Sequence, residues 1–392
     1  MGNHRSGGTR QLFSRPLLSG VLGVMLIIAL VLAWRGFGDR IDDGSSATAT
    51  CFEGDATVPI VADPAIAPAL QEIAKNYNAQ HPVVRDHCVT VEVRPADAST
   101  VLEGLTADTW DAQAHGPYPG AWVPESSIWA AALQESGTDV LAGTPESLVT
   151  SPVRLAMEPV IAEAADGDLA WADLPALTRA NSLSAFGRSS WGSLRMAMPT
   201  GPQSDATSLA AQAVAAATVG TDTALTTAQA RSGEVTTAMN ELMSAPPRVG
   251  DGSAEAAVGS IAETTEPSSA PVRAVPISEQ RLYVLTKDDA EASVAVVAPQ
   301  GQTPMADYPV IGFTSAQLSG YVTDATSEFF TFARKPEQMG ILTGAGFRGS
   351  GPLPEPTATV RFDEVSDPLP TPEAGAVVAI DRVVLPSAVA GN

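Results

Sequence analysis

Residues 17–34, LLSGVLGVMLIIALVLAW, form an uncharged apolar run flanked by Arg15 and Arg35. At about 1.5 Å of helical rise per residue, such a run makes one tilted crossing of a hydrocarbon core ~30 Å thick. Arg5, Arg10 and Arg15 precede it, so the positive-inside rule predicts a cytoplasmic N-terminus over 1–16, one transmembrane anchor over 17–35 and an extracytoplasmic bulk. The expected location is therefore the cell membrane, with a single pass. A cleaved signal peptide is the alternative. Its basic start is present, but Trp34-Arg35-Gly36-Phe37 follows the run, and the nearest small-x-small triplet, Ala47-Thr48-Ala49, lies far downstream. A lipoprotein signal ending just before Cys51 fits less well, since Thr48-Ala49-Thr50 precedes that cysteine and it sits well beyond the apolar run.

The chain carries 22 Lys and Arg against 44 Asp and Glu. Setting aside the five arginines and one aspartate of residues 1–40 leaves the remainder at −26. A surface of that sign repels nucleic acid and anionic lipid and suits a soluble ectodomain. Cys51 and Cys88 both fall on the extracytoplasmic side, where disulfides persist. A Cys51–Cys88 bridge closing about 38 residues contributes roughly 3–4 kcal/mol in the chain-entropy model. Two free thiols or an intermolecular bridge are the alternatives.

Residues 36–50 are small and polar, a linker. VPIVADP (58–64) reads as a buried strand and its exit turn, and 67–82 as a helix stopped by a proline. CVTVEV (88–93) alternates and is rich in β-branched residues, a second strand. A short helix capped by Asp97 or Ser99, a strand at 121 and a helix from near Ser126 follow. This β-α-β-α-β order predicts a parallel α/β sheet. In the second block, strands are expected at 151–159, 194–200, 271–286 and 308–313. Helices are expected at 201–218 and 223–245, and over 315–348 as two pieces. The tail, 349–392, is rich in proline and acids and reads as mostly irregular, with a possible strand at 376–385.

SPVRLAMEP (151–159), RMAMPTGPQSDATSLAA (195–211), SEQRLYVLT (278–286), the YPV of 308–310 and the GFR of 346–348 together resemble a bacterial extracytoplasmic solute-binding protein. More narrowly, AWVPESSIW (121–129) and the paired early cysteines are similar to actinobacterial membrane-anchored ectodomains often followed by a von Willebrand factor A domain. The resemblance covers roughly 51–348. It implies a two-lobed type II periplasmic-binding-protein-like fold, with lobe 1 over 51–145 plus 275–348 and lobe 2 over 146–274. The von Willebrand domain is not expected here, because Asp381 is followed by Arg382 and Val383 where a D-x-S-x-S metal site would need serines.

In open α/β sheets, ligands sit beyond the carboxyl ends of strands, beside outward-pointing N–H groups. Three loops have that placement: Asp63-Pro64-Ala65, Pro124-Glu125-Ser126-Ser127, and Gly201 to Asp205 with Ser204 before it. Each of these acids and serines also precedes a helix, where it would serve as an ordinary N-cap. Trp122 is a candidate aromatic wall, whereas Trp129 reads as core. Ser151, Glu279 and Gln280 fall near the lobe crossovers. The chain holds His4, His81, His87 and His115 and no catalytic motif for a hydrolase, metalloprotease or phosphate-binding loop. Neither an enzyme, a cofactor nor a metal site is expected. Two functions compete: a tethered module that captures a small solute, and an envelope scaffold that binds a protein and has a degenerate cleft.

Overall fold

The apolar, β-branched stretch ending at Ala62 forms strand β1 (Gly54–Ala62), whose last residues are fully buried. The computed structural model describes residues 51–165 and 167–385. The chain forms two units, Met1–Gly54 and Asp55–Asn392, and both lobes described below belong to the second. The expected anchor at 17–35, its cytoplasmic flank at 1–16 and the 36–50 linker lie outside the described residues. Among the described residues no helix is long and apolar enough to cross a membrane. Cys51 and Cys88 are both disulfide-bonded, and the chain has no other cysteine, so the bridge joins these two.

The other strands are β2 (Val83–Val84), β3 (His87–Pro95), β4 (Ala121–Val123), β5 (Glu146–Ser147), β6 (Ser151–Met157), β7 (Ala274–Ser278), β8 (Ala295–Val297), β9 (Met305–Ala306) and β10 (Pro309–Gly312). One sheet has the order β2-β3-β1-β4-β10-β5. The second is built around β6, which is paired antiparallel to β7, β8 and β9. These two mixed α/β layers are the two lobes.

β1 and β4 run parallel with Ala62 opposite Val123, so Asp63 and Pro124 leave the sheet at the same edge. The backbone fixes this directly, since the Asp63 N–H donates to the Val123 carbonyl at 2.8 Å. β10 returns antiparallel to β4, with Ile311 opposite Trp122. The first sheet is thus parallel only at its centre. β2 and β3 form an antiparallel hairpin, and β10 and β5 add an antiparallel edge. β8 and β9 fall within 275–348 but pair with β6, so the chain re-enters the first sheet between β9 and β10, later than the sequence pattern placed it.

Three other segments differ from expectation for identifiable reasons. No strand forms over 194–200. Arg195 adopts a left-handed φ of 50°, which interrupts the extended run and leaves a single bridge from Met196 to Ala274. SEQRLYVLT is not a second strand. After β7 the chain turns into a helix, Glu279–Thr286, whose Gln280 N–H is capped at 2.9 Å by the Ser151 hydroxyl. The tail is without regular structure until Glu373, but AVVAIDRVV is a helix, Ala374–Val384. Its Ala376, Val377, Ile380 and Val384 share one face and are buried, a helical rather than an alternating spacing.

That C-terminal helix packs against helix Ile128–Glu135, which follows β4, and against helix Asp205–Val219, which lies on β6 and β7. It therefore straddles the seam between the lobes. Glu373 anchors its start by accepting from the Thr227 N–H and hydroxyl at 2.7 and 2.8 Å. The approach is close: a Cβ on Gly375 would come within 2.6 Å of Thr227 Oγ1.

Ile380, 1% exposed on this helix, should therefore carry a core-sized share of stability. Ile380→Ala is expected to cost about 2–4 kcal/mol in denaturant unfolding of the full-length chain. Arg382→Ala, on the exposed face, should stay within about 0.5 kcal/mol. Equal, small effects would show that the helix does not dock.

Candidate ligand-binding site between the lobes

Four of the sequence-selected residues converge at the seam. Asp63 leaves β1, Glu125 and Ser126 leave β4, and Asp205 opens the Asp205–Val219 helix; all four are at most 2% exposed. The Ser126 hydroxyl donates to Asp205 Oδ2 at 2.8 Å. The Trp129 indole N–H donates to the same carboxylate, at 3.0 Å from Oδ1 and 2.9 Å from Oδ2. Two elements of the first lobe thus grip one carboxylate of the second.

Capping does not account for these side chains. Ser127 and Ser204 stand at helix N-caps without a side-chain capping bond. Ser127 instead donates its backbone N–H to Asp307 Oδ1 at 2.7 Å, and the Ser204 hydroxyl donates to the Gly201 carbonyl. Asp63 accepts from the Ala65 N–H at 2.8 Å, a local turn two residues long.

Ser151, Glu279 and Gln280 form a separate set at the crossover. Glu279 pairs with Arg348, with Nε and Nη2 at 2.9 and 2.7 Å from Oε2. Gln280 donates from Nε2 to the Ala345 carbonyl at 3.2 Å. Their partners tie β7 and its helix to the segment around Arg348, and none of their bonds reaches the Asp63–Glu125–Asp205 group. Trp122 is fully buried in β4 with its ring 6.5 Å from that of Trp129, and its indole N–H has no partner. It lies beneath the site as packing.

Four further residues complete the site. Arg281, one turn into its helix, faces Glu125 and Asp63, and its guanidinium bonds to Glu255 and to the Gln203 side chain and carbonyl. Tyr308, buried in the crossover before β10, faces Glu125, Asp63, Arg281 and Asp205, and its backbone N–H donates to the Glu125 carbonyl at 3.0 Å. The Ser278 hydroxyl lies beside Glu125, but neither Ser278 Oγ nor Glu125 Oε2 completes a hydrogen bond of sound geometry. Asp381, on the C-terminal helix, accepts from the Ser208 hydroxyl and adds its field to Asp205. A strand over SEQRLYVLT would not single out Arg281, which the helix Glu279–Thr286 carries into the site. The SEQRLYVLT and YPV motifs contain Arg281 and Tyr308, and placing the first as a helix would have brought Arg281 into view.

Burial dominates the electrostatics, because an ionised carboxylate out of water is costly. It pushes Asp63 up to about 6, against the Ala65 hydrogen bond and the Arg281 charge, with Asp97 adding to the rise. It pushes Asp205 up to about 7, reinforced by Asp63 and Asp381 and opposed by the Ser126 and Trp129 bonds. Glu125 is raised well above its ordinary value by burial and by the Asp205 and Asp63 charges. Burial likewise raises Asp381 to about 7, against the Ser208 bond. For Arg281 burial acts downward, but Glu125, Glu255 and Asp63 more than reverse it and leave the guanidinium raised. Among the described residues no group of three or more His, Cys, Asp or Glu is arranged to hold a metal ion.

A two-lobed α/β fold with a polar site at the seam is that of a periplasmic-type binding protein. The sequence profile of the bacterial extracellular solute-binding protein family matches residues 58–348, and the chain belongs to that family. Uncharacterised proteins from two strains of Mycobacterium tuberculosis are 38% identical over 363 residues, 92% of this chain and 52% of theirs. The chain thus spans about half the length of the curated relatives it matches. Iron-bound HitA from Pseudomonas aeruginosa has the same fold at a TM-score of 0.57 and 16% identity, covering 84% of this chain and 99% of that one. The ferric binding protein from Campylobacter jejuni reaches 0.51 at 12%, covering 84% and 99%. The fructose-6-phosphate-bound AfuA from Actinobacillus pleuropneumoniae reaches 0.50 at 12%, covering 84% and 96%.

The raised carboxyls fix a pH dependence. Between the unfolded value near 4 and the folded values of about 6 and 7 for Asp63, Asp205 and Asp381, the folded state holds protons that the unfolded state has released. Stability is therefore greatest at mildly acid pH and falls as pH rises through this window by at most about 1.4 kcal/mol per unit per group, with Glu125 adding to the fall. Denaturant midpoints from pH 4.5 to 8 should show that fall, and Asp381→Asn should reduce its slope. Stability that rises across the window would contradict the burial account.

Proposed function

We propose that this chain is a membrane-anchored, extracytoplasmic solute-binding module that captures a small ligand between its lobes, without catalysis, and delivers it or reports it to a membrane partner. The observation that carries the reading is the buried polar site built from both lobes. Asp63, Glu125 and Ser126 meet Asp205 and Arg281 there, while Glu125 Oε2, Ser278 Oγ and the Tyr308 hydroxyl remain without hydrogen-bond partners. Buried polar atoms of this kind are normally satisfied, and a ligand would satisfy them. Membership of a solute-binding family supports the same reading. The anchor at 17–35, with its N-terminus in the cytoplasm, is proposed from the apolar run and its arginines. Ser127, Ser204, Ser151, Glu279 and Gln280 are proposed as framework for the loops and the hinge, and Trp122 as the packed floor.

A second reading, an envelope scaffold that binds a protein, is favoured by one specific observation. The seam is already joined by Ser126 and Trp129 to Asp205 and is covered by the C-terminal helix. A cleft closed by its own side chains would have little need of a solute.

Thermal unfolding of the oxidised full-length chain against sugars, amino acids, amines, oxyanions and metal ions separates the two. A ligand at 100 times its dissociation constant adds about 2.7 kcal/mol of stability. A saturable upward shift with one solute class is expected. No shift across the panel would replace capture with the scaffold reading.

A further inference from the structure

The charge count at the seam goes further than capture alone. Asp63, Glu125 and Asp205 face one another, with Asp97 beside Asp63, Asp381 beside Asp205 and Glu255 on Arg281. Against these acids stands the Arg281 guanidinium, and Glu255 already draws on it. We propose that the interlobe site takes a small organic cation, a solute bearing an ammonium or guanidinium group, with Asp63, Glu125 and Asp205 as its counter-charges. This rests on the capture function proposed above.

Two observations beyond the acids themselves point to such a guest. The Tyr308 hydroxyl is fully buried, faces Glu125 and lacks a partner, and the Ser278 hydroxyl, 1% exposed, lies against Glu125 without completing a hydrogen bond of sound geometry to it. Each oxygen can accept a hydrogen bond, as can Glu125 Oε2. Ammonium and guanidinium groups are donors only, so one cationic head would satisfy unpaired acceptors and supply the missing positive charge together. An anionic guest would do neither: above the window of Asp63 and Asp205 it would add a like charge among ionised acids, and it would find one guanidinium, already shared with Glu255. A metal ion lacks a described cluster of three ligands in suitable geometry. The Trp129 indole edge is committed to Asp205, so recognition would run through the carboxylates rather than through an aromatic cage.

With no cation in place, the acids stay in the closed seam by holding protons. A cation entering the site takes over that role, so binding releases protons and strengthens as pH rises through the window of Asp63 and Asp205. Arg281 stays charged throughout and competes equally at every pH. Asp381 and Asp97 shift the window without meeting the guest.

Isothermal titration of the full-length chain with agmatine, putrescine and choline, beside glucose, glucose 6-phosphate, citrate, ferric citrate and calcium chloride, tests the assignment. At least one of the three organic cations should bind. Its dissociation constant should fall at least tenfold from pH 5.5 to 8, and heats in buffers of different ionisation enthalpy should count protons released. Asp63→Asn keeps the acceptor that fixes the Ala65 turn and should weaken that cation at least tenfold. If this variant does not fold, the ligand class and proton count of the wild-type chain still decide. Binding confined to a sugar, an anion or a metal ion would overturn the cation assignment and leave solute capture standing. Binding of none of them would overturn the cation assignment and, with a silent thermal panel, solute capture as well.

Discussion

One carboxylate, that of Asp205, joins the two halves of this protein. It starts a helix of the second lobe and receives the Ser126 hydroxyl and the Trp129 indole N–H from the first. Its position at a helix N-terminus, where the backbone dipole favours negative charge, offsets part of the cost of burying it. The bonds from Ser126 and Trp129 act in the same direction. Removing the carboxylate would leave a buried hydroxyl and a buried indole N–H unmatched, at a cost of about 1–3 kcal/mol each. These directional bonds lie beside the apolar face that the C-terminal helix lays across both lobes.

The same acids make the seam conditional. Three buried carboxyl groups close together cannot all ionise at low cost, and burial pushes each upward. The closed arrangement is favoured when they carry protons or when positive charge is supplied. The C-terminal helix adds a second hold. It lies across Ile128–Glu135 and Asp205–Val219 and brings Asp381 against Ser208, one turn from Asp205. This helix lies beyond residue 348, where the family match ends, so it supplements the common fold in this chain. Closure therefore answers to charge at the seam and to a strap laid over it.

Much of this was legible in the chain itself. The strand-end rule selects Asp63, Glu125 and Ser126 because a parallel pair delivers its exits to one edge, and β1 and β4 do form such a pair, whereas it selects Asp205 through a strand at 194–200 that does not form. The limits were also physical. Ser151, Glu279 and Gln280 were chosen for nearness to a crossover, but sequence does not show that Arg348 and Ala345 occupy their polar groups. Trp129 reads as core by its apolar surroundings, and only the fold reveals a carboxylate opposite its N–H. SEQRLYVLT looks like a strand because Tyr, Val and Thr favour strands. The Ser151 cap from 129 residues away decides for a helix. AVVAIDRVV misleads in the same way until its partner helices are known.

The most direct test of the seam is a distance distribution between the lobes. Spin labels at Glu92 on β3 and Glu234 on helix Gly233–Leu242, both exposed, report it with the Cys51–Cys88 bridge kept intact. Pulsed electron resonance on the full-length chain should give one narrow distribution near pH 6, and Asp205→Ala should broaden it and move it to longer distance. Unchanged distributions in a folded Asp205→Ala chain would show that this carboxylate does not hold the lobes together.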